Sequence, residues 1–425
     1  MPKAPADYQS RYPIDFGDID PAIRQMGVQL YGADGVKSHG ILYLPPNRAP
    51  RTVVVMAHPR ADFFHHYSIP YWVEADFAAF AQNTRYLNND SMMLHENLLI
   101  DLAAGVRYLR DEQGFDRVVM LGNSGGGSLF AYYDAEARRA KGSRVAAPPG
   151  GGAPDLNNFE LPPADGFIVL AAHPGQGRVL MGSLDPAVVD EHDPFATDAA
   201  LDMYDERNGF KSPPGESRYD REWLRTYREA QRARVARLDA IARGHIEEAR
   251  NARQTSRSDG FAAQPADFRN FIQRRAMAPR IMLVYRTLAN PNYQDLSLEP
   301  SERVLGSIFA ARPDLFNYHA FGLGHVITPD AWLSTWSGLS SYANLERNLP
   351  QVKIPTLVVG ANADQDIFLS DVRSEFELSG ASDKRSEFIE GADHFMRAGG
   401  TKGKADPRPR LMKLLTEWTR ERFAP

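Results

Sequence analysis

The sequence GNSGG at positions 122–126 places one serine between glycines, in a pattern that is typical of a tight turn with a strained backbone. It follows the apolar run 117–121, which is typical of a buried strand, and it precedes a helical pattern that extends to about residue 133. In a Gly-x-Ser-x-Gly pattern the strand turns sharply into the helix and leaves the serine exposed at the tip. The strained serine crowds the positions two before and two after it, where Gly122 and Gly126 have no Cβ to collide. The motif predicts a strand–serine–helix unit in which Ser124 is available as a nucleophile.

The same glycine-rich turn is compatible with a phosphate-binding loop or with an ordinary tight turn. A P-loop needs a lysine after its last glycine, and none follows here. A dinucleotide-binding loop needs a third spaced glycine, and Phe130 stands at that place. The pentapeptide alone leaves the nucleophile and the plain turn open, so the residues that could act with Ser124 decide between them.

Composition narrows the classes of function. The 425 residues suffice for two or three average domains, or for one large domain with an insertion. A net charge of −5 gives no reason to expect nucleic acid or a membrane as partner, and the absence of cysteine excludes disulfides and a cysteine nucleophile. We expect a small-molecule substrate, no cofactor and no metal, and leave a homo-oligomer open. Residues 1–7 lack the apolar region of a secretion signal, so we expect a cytoplasmic protein.

Short apolar runs alternate with helical patterns at both ends of the chain. A hairpin is predicted at 28–45, a weaker strand at 85–88, and helices at 91–114 and 411–423. The continuous apolar runs, which indicate strands buried on both faces, lie at 52–57, 117–121, 166–172 and 355–360, and a further strand is predicted at about 385–389. This alternation predicts an α/β fold with a doubly wound, mainly parallel sheet.

The alternation of strands and helices is absent from about residue 174 to residue 350, where helical patterns dominate. We therefore expect a core formed by 1–172 and 351–425, interrupted by a mostly helical cap insertion at 173–350. The clearest helix is predicted at 219–253, and it carries nine arginines with acidic residues between them. Such interleaving indicates a solvated face with ion pairs rather than a surface for nucleic acid or membrane.

An activated serine needs a base, an acid that orients the base, and two N–H donors for the developing oxyanion. In a parallel sheet such groups meet at the carboxyl ends of the strands. The polar residues that directly follow the predicted strands are His58 and Arg60, Ser124, Asp364 and Asp366, and His394.

These residues, in the order serine, aspartate, histidine, resemble the α/β-hydrolase fold superfamily over about 25–172 and 351–425. The resemblance implies that Ser124 is the nucleophile, His394 the general base and Asp364 the orienting acid. It also implies that the backbone N–H groups of Gly125 and Arg60 form the oxyanion hole.

Two features depart from the family pattern. Pro59 stands where many members carry glycine, and because proline has no N–H the donor must come from a later residue, for which Arg60 is the first choice. Asp366 competes with Asp364 for the role of the acid. Asp364 is preferred because Ile367 follows at the offset where the family places an apolar residue.

Other residues could line a substrate pocket. His58 and His173 each follow a predicted strand, although a structural role is the simpler explanation for both. The second half of the insertion is rich in aromatic residues, of which Trp332 and Trp336 are our candidates for substrate contact. The full set is Phe309, Phe316, Tyr318, Phe321, Trp332, Trp336 and Tyr342.

The expected reaction is hydrolysis of a small, apolar or aromatic ester through an acyl-enzyme. The same three residues would also serve an amidase, a thioesterase, an acyltransferase or a carbon–carbon bond hydrolase. A non-catalytic ligand-binding protein with a hydrolase-like fold is the alternative from another class.

Overall fold

An eight-stranded sheet runs through the centre of the computed structural model, which describes residues 19–46, 48–319, 322–401 and 405–425. The N-terminal residues used above for the secretion-signal argument lie outside these ranges. The twelve strands within the ranges are β1 (Arg24–Tyr31), β2 (Lys37–Leu44), β3 (Thr52–Ala57), β4 (Ala78–Asn83), β5 (Arg117–Asn123), β6 (Gly166–Leu170), β7 (Val188–Asp190), β8 (Asp193–Thr197), β9 (Met282–Leu283), β10 (Val326–Ile327), β11 (Thr356–Ala361) and β12 (Lys384–Ile389).

The strand order of the main sheet is β1-β2-β4-β3-β5-β6-β11-β12. β2 is antiparallel to both of its neighbours, and all pairs from β4 to β12 are parallel. Every residue of β3, β6 and β11 is buried, as the continuous apolar runs indicate for strands covered on both faces, and every residue of β4 is buried as well. The predicted mainly parallel sheet is confirmed.

Helices cover both faces of the sheet. The α-helices in the described ranges are α1 (Ile69–Glu74), α2 (His95–Arg107), α3 (Gly125–Arg138), α4 (Gln176–Ser183), α5 (Arg221–Ser256), α6 (Ala266–Met277), α7 (Pro313–Phe316), α8 (Pro329–Ala331), α9 (Leu345–Asn348), α10 (Leu369–Leu378) and α11 (Arg408–Arg420). Val53 and Val55 of β3 belong to the core that contains α2 and α3, whereas Val54 and Met56 belong to the core that contains α1 and α11. Successive side chains of a strand point to opposite faces, so the two cores follow from one apolar run.

The prediction at 85–88 is wrong, because these residues form a turn and the strand is β4, at Ala78–Asn83. The sequence AAFAQN has few residues that favour strands, but it pairs with β2 on one side and β3 on the other. Pairing and burial in the middle of the sheet therefore outweigh the weak intrinsic preference. The helix predicted from residue 91 begins at His95 and ends in a π-helical turn at Tyr108–Glu112.

The chain between β6 and β11 forms a cap. Its longest element is α5, which is preceded by the N-cap residue Asp220, whose side chain accepts from two N–H groups of the first turn. The part that follows α6 is less helical than predicted, since its α-helices have only three or four residues. Two small antiparallel sheets, β7–β8 and β9–β10, complete the cap.

The arginines of α5 form fewer ion pairs with the acids between them than the sequence indicated. Arg225 does pair with Glu222 on the helix, but buried Arg234 and exposed Arg237 both pair with Glu191, between β7 and β8. These two arginines of α5 therefore form ion pairs with the β7–β8 hairpin of the cap. No helix within the described ranges is long and apolar enough to cross a bilayer.

Candidate active site

The turn at Ser124 joins β5 to α3 and is strained. Ser124 has φ 54° and ψ −124°, and its N–H donates to the carbonyl oxygen of Leu170 at 3.1 Å. A Cβ on Gly122 would lie 2.6 Å from the Cα of Gly127, and a Cβ on Gly126 would lie 2.4 Å from the carbonyl oxygen of Ala57. The chain segments are so close that only glycine fits at these two positions, and the serine is thereby held at the tip of the turn.

Three side chains from distant parts of the chain meet at this turn. Nε2 of His394 lies 3.0 Å from Oγ of Ser124, and Nδ1 of His394 lies 2.6 Å from Oδ2 of Asp364. His394 and Asp364 are buried, and both follow strands at the carboxyl edge of the sheet, β12 and β11. The structure therefore brings together the serine, the histidine and the first of the two aspartates that the sequence indicated.

Hydrogen bonds to its other oxygen hold Asp364 in place. Oδ1 accepts from the N–H groups of Asp366 at 2.9 Å and Ile367 at 3.0 Å. The second oxygen, Oδ2, is left for the Nδ1 side of the His394 ring. A neutral imidazole that donates from Nδ1 carries a free lone pair on Nε2, which then faces the hydroxyl of Ser124.

The charge of Asp364 also sets the protonation of His394. Burial by itself lowers the pKa of His394, but the negative charge of Asp364 and its hydrogen bond outweigh burial, so that the pKa is raised. A carboxylate beside an imidazole favours the cation that forms when the ring accepts a proton. The pair is therefore suited to take a proton from Ser124.

Asp366 faces other partners. Its Oδ1 accepts from the hydroxyl of Tyr293 at 2.7 Å, and its Oδ2 accepts from the N–H of Ile308 at 2.6 Å. Both partners belong to the cap, so Asp366 ties the loop after β11 to the roof of the site. Burial raises the pKa of Asp366 to about 6, although these two hydrogen bonds oppose the rise.

The loop after β3 does not present its backbone as the family pattern implies. The N–H of Arg60 donates to Nδ1 of His58 at 3.2 Å, and the N–H of Ala61 donates to the same atom at 2.9 Å. The N–H of Arg60 is thus directed at the His58 ring, although Arg60 itself lines the pocket. Gly125, the other expected donor, is the first residue of α3, where helix geometry leaves the N–H without an intrahelical acceptor.

A narrow pocket of about 50 Å³ opens beside Ser124. Its polar wall includes the two candidate histidines, His58 and His173, together with Gln176. The apolar residues that line it are Val179, Ile308, Phe309, Leu323, Ile367 and Phe395. Val179 and Asp366 also line a second, larger groove of about 540 Å³.

The two tryptophans proposed for substrate contact do not line this pocket. Both rings are fully buried; Nε1 of Trp332 donates to Asp239 at 2.7 Å, and Nε1 of Trp336 donates to the carbonyl oxygen of Asp90 at 3.2 Å. They pack in the core that joins the cap to α2, which is where large apolar rings bury most area. Among the other cap aromatics Phe309 does line the pocket, and Phe321 lies outside the described residues.

Several pocket residues were missed by the sequence analysis. Gln176 opens α4 shortly after β6, so the search at the strand ends could have found it by extending a few residues further. Ile308 and Leu323 lie in irregular cap segments, where no periodicity marks which side chains turn inward. Among the residues that the structure describes, no group of three His, Cys, Asp or Glu side chains could hold a metal ion.

No protein-family model matches the chain, and no curated protein matches it. Solved structures of similar fold include an α/β hydrolase, GrgF from Penicillium sp. sh18, at 12% identity and a TM-score of 0.49, covering 95% of this chain and 100% of that chain. The esterase domain of a Rhodothermus marinus protein is similar at 11% identity and a TM-score of 0.44, covering 94% and 99%. An esterase from Exiguobacterium antarcticum is similar at 11% identity and a TM-score of 0.41, covering 93% and 100%.

The fold assignment rests on the strands and the turn described above. The N-terminal hairpin, the mainly parallel sheet, and a strained serine between a buried strand and its helix are the arrangement expected from the sequence. The acid and the histidine follow the last two strands in the expected order. The chain has the α/β-hydrolase fold, with a cap between β6 and β11.

Proposed function

We propose that the protein is a serine hydrolase that cleaves a small carboxylic ester through an acyl-enzyme. The observation that carries the proposal is the continuous hydrogen-bonded chain from Ser124 through His394 to Asp364, with contacts of 3.0 and 2.6 Å. A serine hydroxyl is a weak nucleophile unless a base accepts its proton, and this arrangement supplies an oriented base.

The mechanism follows from the positions of the three groups. Nε2 of His394 takes the proton of Ser124 as Oγ attacks the ester carbonyl, and the N–H of Gly125 is one donor to the resulting oxyanion. Collapse of the tetrahedral intermediate breaks the ester bond, and the alcohol leaves with the proton from His394. Water then gives a proton to the same nitrogen and attacks the acyl-enzyme, which releases the carboxylic acid and restores Ser124.

The lining of the pocket supports a short, apolar acyl group. A volume of about 50 Å³ holds only a few atoms beyond the reacting carbonyl, and one wall is formed by Ile308, Phe309 and Leu323. Buried apolar walls favour hydrocarbon over charged groups. We place the acyl group in this pocket.

A substrate panel and covalent labelling test the proposal. We expect p-nitrophenyl acetate and butyrate to be hydrolysed faster than the octanoate, a lactone or an anilide. Ser124→Ala should lose about 10⁴-fold or more in turnover, on the scale known for such units, whereas exposed Ser143→Ala should not change it.

The same experiment separates two of the alternatives, the amidase and the ligand-binding protein, from an esterase. A fluorophosphonate should label the wild type, and mass spectrometry should place the adduct on Ser124. Faster cleavage of the anilide than of every ester would indicate an amidase. A folded protein that neither turns over substrate nor takes the label would instead be a ligand-binding protein.

A further inference from the structure

The oxyanion loop lacks the backbone donor that its position in the fold calls for. Pro59 has no N–H, and the next two N–H groups, of Arg60 and Ala61, both donate to Nδ1 of His58. A tetrahedral intermediate needs more than one donor to its oxygen, and Gly125 supplies only one. The second donor must come from elsewhere in the pocket.

The hydrogen bonds of the loop determine where His58 carries its proton. An Nδ1 that accepts from backbone N–H groups at 2.9 and 3.2 Å is unprotonated, so the neutral ring carries its hydrogen on Nε2. Burial, together with the nearby charge of Arg60, lowers the pKa of His58 well below its usual range, so the ring stays neutral. Phe63 packs against the ring with centroids 5.3 Å apart and helps to fix its orientation.

Nε2 of His58 lies beside the first residue of α3. A Cβ on Gly125 would be 2.8 Å from that nitrogen, so the nitrogen is close to the residue whose N–H is the other expected donor. His58 lines the pocket with Ser124 and His394. Among the residues that the structure describes, His58 makes its hydrogen bonds through Nδ1, and its Nε2–H has no protein acceptor.

A second imidazole is close by but is already engaged. Nε2 of His173 would lie 3.0 Å from the same Cβ position, and Nδ1 of His173 accepts from the N–H of Gly175 at 3.2 Å. The side chain of Gln176 forms a hydrogen bond with the side chain of His173, and Oε1 of Gln176 lies 2.9 Å from the same Cβ position on Gly125. Of the two rings, His58 is the one with a donor left for substrate.

We propose that Nε2–H of His58 is the second oxyanion donor, acting with the N–H of Gly125 in place of a backbone N–H from the loop. A neutral imidazole N–H can polarise a carbonyl and stabilise the charge that develops on its oxygen. The loop amides would then act indirectly, by holding the tautomer that donates. The inference rests on the proposed function, because the donor matters only if Ser124 attacks a carbonyl.

Two substitutions distinguish the two roles of the His58 ring, which donates from Nε2 to the substrate and accepts at Nδ1 from the loop N–H groups. In His58→Asn the side-chain oxygen can replace Nδ1 as acceptor for the loop, but no N–H reaches the position of Nε2. In His58→Gln the side-chain N–H reaches that position, but the loop loses its acceptor. Removing one oxyanion donor costs about 10²- to 10³-fold in kcat, so we expect that loss for His58→Asn, with KM unchanged within about threefold.

His58→Gln should retain more turnover than His58→Asn on p-nitrophenyl butyrate, and exposed His65→Asn should match the wild type. Thermal unfolding of each variant checks that the fold is kept. If His58→Asn stays within about threefold of wild-type kcat, or if His58→Gln is the more impaired of the two, the proposal is wrong.

Nitrogen-15 NMR of the histidine rings gives a readout that does not depend on activity. In the wild type the resonance assigned to His58, by its loss in His58→Gln, should show a neutral ring protonated on Nε2. A ring protonated on Nδ1 would overturn the proposal even if a variant failed to fold. Absence of fluorophosphonate labelling at Ser124 in the wild type would instead overturn the proposed function, and this inference with it.

Discussion

Asp364 and Asp366 lie two residues apart on one loop, and their carboxylates serve different parts of the molecule. Asp364 contacts Nδ1 of His394 at 2.6 Å, whereas Asp366 contacts the cap through Tyr293 and Ile308. The N–H of Asp366 also donates to Asp364, so the two residues are linked through the backbone. The choice between them, which the sequence left open, is made by which side of the loop faces the histidine.

Replacing the two acids should have unequal effects on turnover. Asp364→Asn keeps the shape but presents no negative charge to His394, and we expect kcat to fall by about 10⁴-fold, the scale for such a change in a serine triad. Asp366→Asn should keep kcat within about tenfold. Steady-state rates on p-nitrophenyl butyrate measure both, and a larger loss in Asp366→Asn would reverse our assignment of the acid.

Activity should fall on the acid side because His394 must be neutral to act as a base. The pKa of His394 is raised above the usual 6.5, so the midpoint of kcat/KM against pH should lie above 6.5. In Asp364→Asn the largest influence that raises this pKa is lost, whereas burial still lowers it and Asp366 and Asp393 still raise it, so the midpoint should move to lower pH. A pH profile with the same midpoint in both proteins would show that Asp364 does not raise this pKa.

Burial of Asp366 should make stability depend on pH. Its pKa is raised from 3.8 to about 6, so its contribution to stability is fully present below pH 3.8 and is lost as the pH rises through about 6. The difference between these two pKa values corresponds to about 3 kcal/mol in the free energy of unfolding, at about 1.4 kcal/mol for each pKa unit. Urea unfolding should therefore show that the effect of Asp366→Asn on the free energy of unfolding is more favourable at pH 8 than at pH 4, by up to about 3 kcal/mol.

The exposed substitution Asp111→Asn serves as the control for that experiment, because its carboxylate is not buried. It should leave the free energy of unfolding unchanged within about 0.5 kcal/mol at both pH values. Equal effects of the two substitutions would mean that Asp366 is not desolvated.

The glycines of the turn can be compared with a glycine that has space around it. A Cβ on Gly126 would lie 2.4 Å from the carbonyl oxygen of Ala57, which is backbone and cannot move aside, so Gly126→Ala should destabilise the fold and reduce turnover. Gly244, in the exposed part of α5, has nothing within 4 Å, and Gly244→Ala should stabilise by about 0.5–1 kcal/mol. Urea unfolding midpoints with unchanged m-values measure both.

The aromatic residues of the cap should divide into packing and substrate-contact groups. Trp332→Ala removes a fully buried ring and should lower stability by about 3–5 kcal/mol, without changing the relative rates for short and long esters. Phe309→Ala enlarges the pocket and should raise kcat/KM for hexanoate relative to acetate. A shift in ester preference in purified, folded Trp332→Ala would instead place that ring in contact with substrate.

Sequence patterns located β3, β5, β6 and β11 because those strands are buried on both faces and therefore mostly apolar. β4 was missed because its alanines favour a helix rather than a strand, and only its two neighbouring strands specify it. The short helices of the second half of the cap were overestimated for a related reason. Aromatic residues at irregular spacing can be buried by loops as well as by helices.

What the sequence determined by itself is the strand–serine–helix turn and the order of the polar residues after the strands, because glycine spacing and apolar runs act locally. Tertiary structure decided which acid meets His394, which aromatic side chains reach the pocket, and where the N–H of Arg60 points. Those outcomes depend on how segments far apart in the chain pack against each other. Two hydrogen bonds, from the N–H groups of Arg60 and Ala61 to Nδ1 of His58, make His58 a candidate donor through Nε2, and no sequence pattern specifies them.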